Sequence, residues 1–200
     1  AGFDIVSYTG NGSARTIAHS LSAVPKMIFI KRLDASANWS VYHVGVGNGK
    51  ASILNEAEAP TTSTTYFNDT SPTSSVFTVG TISNNNNDGS PIIAYCFADV
   101  QGFSKFGSYV GNGNVDGPMI FLGFRPAYVL WKKSDDIWPI MDNKRSTYNF
   151  AQTYLKANAD AAEDATSSNI RWDFLSNGLK CRGDTGAING SGGTYIYMAF

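Results

Sequence analysis

The chain repeats itself at half its length, and this constrains its fold more than any other feature. Gly2-Phe3 followed by Tyr8-Thr9-Gly10-Asn11-Gly12 recurs as Gly102-Phe103 followed by Tyr109-Val110-Gly111-Asn112-Gly113. Pro25 to Arg32 recurs as Pro126 to Lys133, and Trp39 answers to Trp138. Asn55-Glu56-Ala57-Glu58-Ala59 resembles Asn158 to Glu163, and the closing run Gly89 to Phe97 matches Gly192 to Phe200. Each copy has the size of a small β-sandwich and carries short apolar runs punctuated by Gly, Asn, Asp and Pro. Two tandem units are expected, residues 1–100 and 101–200. No linker composition separates them between Phe97 and Phe103, so the second is expected to pack closely on the first.

Composition agrees with strands. Ser, Thr, Asn and Gly supply 73 of 200 residues and Glu only three, which leaves few good helix formers. The expected class is all-β: two pseudo-equivalent sandwich units of jelly-roll or lectin-like type. The run Met27 to Ile30, apolar throughout and ending in Lys31-Arg32, reads as a central strand emerging into solvent. The turns at Asn84 to Gly89 and Asn189 to Gly193 precede the closing strands and supply residues that tolerate positive φ. The Ala-rich stretch 151–165 aligns with a segment containing Pro60, so a loop or single turn is expected there.

Lys and Arg number 15 against 16 Asp and Glu, a net charge of −1, so no basic field exists to attract nucleic acid or an anionic membrane. No apolar run reaches the ~18 residues of a membrane span. The start Ala1-Gly2-Phe3-Asp4 lacks the basic and apolar regions of a signal peptide. Cys96 reads as a small buried hydrophobe. Cys181, between Lys180 and Arg182, is a reactive thiol only if exposed.

The ordered pattern Tyr8-x-Gly10-Asn11-Gly12, His19-Ser20-Leu21, Pro25 to Arg32, Trp39-x-Val41-Tyr42-His43, Pro72 to Phe77 and Ala94 to Ala98 resembles an uncharacterised domain of tailed-phage virion proteins. That domain is common in marine phages and prophage regions. The second half matches through Gly102 to Tyr109, Asp116-Gly117-Pro118, Gly123 to Ala127, Asp173 to Gly178 and Gly192 to Phe200, so the resemblance covers the whole chain. It implies a fibre, appendage or capsid-associated protein and carries over no catalytic or binding residues. Relatives run on through an Ala-Glu tail past the closing strand, which implies a longer polypeptide here.

Catalytic inventory is thin. His19 and His43 have no counterpart in the other copy, and no nucleophile elbow, zinc motif or phosphate loop is present. Asp135-Asp136 and Glu56 with Glu58 read as turn residues rather than a glycosidase pair. No cofactor is expected; the Asp- and Asn-rich loops leave Ca²⁺ open, without a D-x-D-x-D-G pattern to support it. Arg182-Gly183-Asp184 spells a cell-adhesion tripeptide that a Gly-rich loop produces by chance. Asn11, Asn38, Asn68 and Asn189 begin glycosylation sequons, relevant only in a secretory route.

Sugar binding suits such a scaffold, because an indole or phenol face stacks on a pyranose while Asn, Asp and Arg read its hydroxyls. The candidate contacts are Asn38, Trp39 and Tyr42 in the first unit and Asp136, Trp138, Asp142, Asn143 and Arg145 in the second. Trp172 with Arg171 and Asp173 forms a third group. The recurrence of Trp39 and Trp138 also fits core aromatics, and Trp131 lies in an apolar strand as packing. The expected function is a non-enzymatic module on the extracellular surface of the virion, a tail-fibre or appendage part binding host polysaccharide. It is expected to form a homo-oligomer, a trimer by preference, that multiplies weak affinity and meets other virion proteins. The alternatives are a capsid decoration, cement or fibre-assembly protein without glycan binding and, as a third class, a depolymerase.

Overall fold

The computed structural model describes residues 2–165 and 169–200 and divides into two compact units, Ala1–Val100 and Gln101–Phe200. Both are β-sandwiches. The first contains β1 (Phe3–Thr9), β2 (Arg15–Ala18), β3 (Met27–Arg32), β4 (Ser40–His43), β5 (Lys50–Ile53) and β6 (Thr61–Thr62), then α1 (Thr64–Phe67), β7 (Val76–Val79), α2 (Ser83–Asn86) and β8 (Pro91–Phe97). One antiparallel sheet has the order β1-β8-β3-β4-β5-β6, and β2 pairs with β7 in the other. Because β8 returns to lie beside β3, the strands β8-β3-β4-β5 form a Greek key.

Burial explains the strand sequences. Met27 to Ile30 are all buried in the central strand β3, while β8 alternates, with Ile92, Ala94 and Cys96 inside and Ile93, Tyr95 and Phe97 half-buried on the opposite face. Ile17, Phe77 and Val79 of the small sheet close the core against Ile28, Ile30, Tyr42, Ile92 and Ala94.

The second unit contains β9 (Lys105–Val110), β10 (Met119–Phe121), β11 (Tyr128–Lys133), β12 (Pro139–Asp142), β13 (Leu155–Lys156), β14 (Trp172–Leu175), β15 (Gly178–Cys181) and β16 (Thr194–Ala199). Its sheets have the orders β13-β12-β11-β16-β9 and β10-β15-β14. Trp172 fills the core edge-on to Tyr109 and Trp131, at 5.7 Å from each, and Tyr109 stacks on Tyr195 at 4.8 Å. Trp131 is packing, as expected, with its Nε1–H donating to Ala187 O at 3.0 Å. Residues 151–165 form no helix: Ala151 bridges Trp172, β13 follows, and Tyr154 bridges Asp164.

The Tyr-x-Gly-Asn-Gly motif serves one hydrogen-bonded hub in each unit. In the first, Tyr8 donates its hydroxyl to Asn85 O at 2.7 Å, and the buried Asn86 accepts Asn11 N–H on Oδ1 at 3.0 Å. Asn86 Nδ2 donates to Ser13 O at 2.6 Å and Gly80 O at 2.8 Å. In the second, Tyr109 donates to Ile188 O at 2.7 Å and the buried Asn189 accepts Asn112 N–H at 2.8 Å. Its Nδ2 reaches Gly183 O at 2.9 Å and Asn114 O at 2.7 Å. Gly10 is required by close approach, since a Cβ there would lie 2.0 Å from Asn87 O. The asparagines expected at these turns for positive φ do something else: Asn86 is helical and buried, and the left-handed positions fall to Gly89 and Gly192. Asn189 is thereby excluded as a glycosylation acceptor.

Both cysteines are fully buried. Burial, with Asp4 adding to it, pushes the Cys96 thiol up to about 12, and burial pushes that of Cys181 up to about 11 despite the flanking Lys180 and Arg182. The thiol reagent DTNB at pH 8 is therefore expected to label neither in the folded chain and both in guanidinium; prompt labelling of native Cys181 would contradict its burial. Above roughly pH 8.5 an unfolded thiol loses its proton while the folded one keeps it. The folded state then binds more protons, so these groups lower stability as pH rises towards 11.

Candidate functional site

Successive side chains of a strand point to opposite faces, and this separates the residues of the first sequence cluster. Trp39, just before β4, is half-buried on the outer face of the large sheet, in a near-parallel arrangement with Tyr95 at 6.2 Å and 26°. Tyr95 in turn lies parallel to Phe3, at 6.4 Å and 9°. Lys31 donates to Ala37 O and places its ammonium 5.8 Å from the Trp39 ring. Asn38 is fixed on both sides of its amide: Nδ2 donates to Glu56 Oε1 at 2.5 Å and Oδ1 accepts Asn55 Nδ2 at 2.8 Å. Tyr42, three positions on, faces the core against Phe67 and does not join them. Tyr95 and Phe3 were missed from sequence because they come from β8 and β1; their signal was an aromatic at alternate positions of apolar strands.

The second cluster is closed. Trp138 is 1% exposed, with the Lys132 ammonium 5.3 Å from its ring and its backbone N–H on Asn158 Oδ1 at 2.9 Å. Burial pulls Lys132 down to about 8 against the attraction of Asp136 and Asp135. Asp136 accepts Ile137 N–H at 2.8 Å. Asp142 takes the backbone N–H groups of Lys144 and Arg145, each at 2.8 Å, and Arg145 Nε at 2.9 Å. Arg145 also pairs with Glu163, which holds its guanidinium charged. Asn143 is half-buried, its N–H on Ala127 O. Asp142 and Arg145 thus bond each other, and Trp138, the aromatic among these residues, presents no open face.

The third group divides by the same alternation. Trp172 points into the core, while Arg171 and Asp173 on either side of it line an open groove of about 530 Å³ with Val115, Asn149, Phe150 and Arg182. Asp173 Oδ2 accepts Arg182 Nε at 2.6 Å, and Arg182 also reaches Asp116 at 3.4 Å. Lys180 shares Asp116 at 2.9 Å and holds its carboxyl below the usual range. Arg171 carries its guanidinium 4.3 Å from the Phe150 ring centroid, and its buried Nε meets no acceptor. Asn149 braces the loop by bonding both the N–H and the C=O of Phe174. Arg182 is thus committed to Asp173 and Asp116, and with Gly183 buried the Arg-Gly-Asp tripeptide offers only Asp184 freely.

The two histidines and the paired carboxylates singled out in the sequence stand apart from that groove. His19 Nε2 meets Thr73 O at 3.1 Å, while His43 is buried on β4 with Nδ1 accepting Gly45 N–H at 3.0 Å. Asp135 pairs with Lys133 at 3.6 Å and Glu56 accepts from Asn38. Among the described residues no group of three or more His, Cys, Asp or Glu is placed to hold a metal ion, and no helix is long and apolar enough to cross a membrane.

No curated protein and no solved structure matches the chain. A protein family does, over residues 1–200, and the chain belongs to that family, a domain of unknown function designated DUF7483.

Proposed function

We propose that the chain is a non-enzymatic surface module of a tailed-phage virion, a tail-fibre or appendage part that recognises host-surface glycan, acting as a symmetric oligomer. The observation that carries this reading is the half-exposed Trp39, set in near-parallel planes with Tyr95 and Phe3. A row of flat apolar faces on a rigid sheet stacks on pyranose rings at little entropic cost, and the braced Asn38 amide stands at its edge as a polar guide.

The test is a glycan array together with host envelopes, with released sugars monitored. Specific binding without sugar release is expected, falling at least about tenfold in Trp39→Ala, which removes a side chain the fold leaves partly in water. Released sugar would replace this reading with a depolymerase. Silence on every surface, from folded protein in its native oligomeric state, would transfer the assignment to the second reading, capsid decoration or cement. That reading draws on Met119 and Phe121, 42% and 68% exposed on the edge strand β10, an apolar edge suited to neighbouring virion proteins.

A further inference from the structure

Arg171 is held by packing where the other groove cation is held by charge. Arg182 is neutralised by Asp173 and Asp116, and Asp116 is shared with Lys180. Arg171 instead lies over Phe150, and no carboxylate among the described residues pairs with it. With Nε buried, Arg171 keeps its two terminal Nη groups as the available donors, and a planar carboxylate matches that pair end-on with two parallel hydrogen bonds.

We infer that the groove between Arg171, Phe150 and Asp173 is a second glycan site, selective for a carboxylate-bearing sugar of an acidic polysaccharide. Three features support that class. The lining charges are two arginines against one aspartate, a net positive balance that attracts a single negative charge. Asp173 stands inside the groove, where its carboxylate repels a doubly charged phosphate and accepts sugar hydroxyls. Phe150 and Val115 supply an apolar wall, and the volume of about 530 Å³ lies within the range of small-ligand sites while one side stays open for a continuing polymer.

The inference rests on the glycan-binding reading for its class of ligand but uses none of the residues around Trp39. The test is calorimetric titration of the full chain with trigalacturonate, with the corresponding neutral galactose trisaccharide and with inorganic phosphate. Trigalacturonate is expected to bind more tightly than the neutral sugar, with affinity falling as salt rises. Arg171→Gln should weaken it at least about tenfold, with the melting temperature held, while Trp39→Ala leaves it unchanged; Arg171→Lys should fall between. Equal affinity in Arg171→Gln, equal binding of the neutral sugar, phosphate binding more tightly than trigalacturonate, or no trigalacturonate binding would each overturn the assignment. If neutral glycans still bind through Trp39 in that last case, only the acidic-sugar site fails; if nothing binds, the glycan reading fails with it.

Discussion

Replacing Asn189 with alanine is expected to destabilise the second unit by about 3–5 kcal/mol. Its buried amide accepts from Asn112 N–H and donates to Gly183 O and Asn114 O. The substitution strands Gly183 O in the interior, at about 1–3 kcal/mol for an unsatisfied buried group, and removes the partner of the Asn112 and Asn114 backbone groups at the part-buried rim, at about 0.5–1.5 kcal/mol for each lost bond. Asn189→Asp should also destabilise, because the carboxylate turns two donated bonds into repulsions against carbonyl oxygens. Three of the four tryptophans, Trp131, Trp138 and Trp172, lie in the second unit, so denaturation followed by intrinsic fluorescence reports mainly on it. For a unit of this size the loss corresponds to a fall in melting temperature of more than about 10 °C. A change below about 1 kcal/mol would show that the hub is dispensable. Asn86→Ala is expected to do the same to the first unit, with less change in fluorescence.

These hubs show what the repeat encodes. Tyr8, Gly10, Asn11 and Gly12 and their counterparts recur because they tie the opening strand to the turn before the closing one. The strand content, the buried runs of β3 and β11 and the loop at 151–165 were legible because apolar spacing and Pro60 bear on them directly. The buried asparagines were not. A run of four consecutive Asn at 84–87 reads as turn chemistry, and only the path of Tyr66 past Asn85 and of Gly80 and Ser13 past Asn86 shows which two of the four are enclosed.

The candidate sites were legible in proportion to how local they are. Asn38 and Trp39 are adjacent and stay together, whereas Tyr42 is turned inward by strand parity, which a correct strand boundary would have revealed. The groove gathers Val115, Asn149, Phe150, Arg171 and Arg182 from four separated segments. Only Arg171 and Asp173, flanking Trp172, were visible as a group, because they are neighbours in the sequence.

Trp138→Ala is expected to cost about 3–5 kcal/mol of stability, the range for removing a buried tryptophan, and to leave glycan affinity intact in the protein that remains folded. Trp39→Ala should do the reverse, costing less than half as much stability and taking the binding with it. The two tryptophans align in sequence and each has a lysine near its ring, but one is 1% exposed and the other half-buried. The difference in burial is the reason the two substitutions are expected to have opposite effects. A pH series sharpens the test. Lys132 sheds its proton near pH 8 in the folded chain but only near 10.5 unfolded, so across that window the unfolded state binds more protons and this group adds stability as pH rises. Opening the site by Trp138→Ala should hydrate the ammonium, return it towards its ordinary value and remove that increment, measured as the difference between variant and parent from pH 8 to 10. A Trp138→Ala protein as stable as the parent yet blind to glycan would restore Trp138 as the sugar platform and withdraw that role from Trp39.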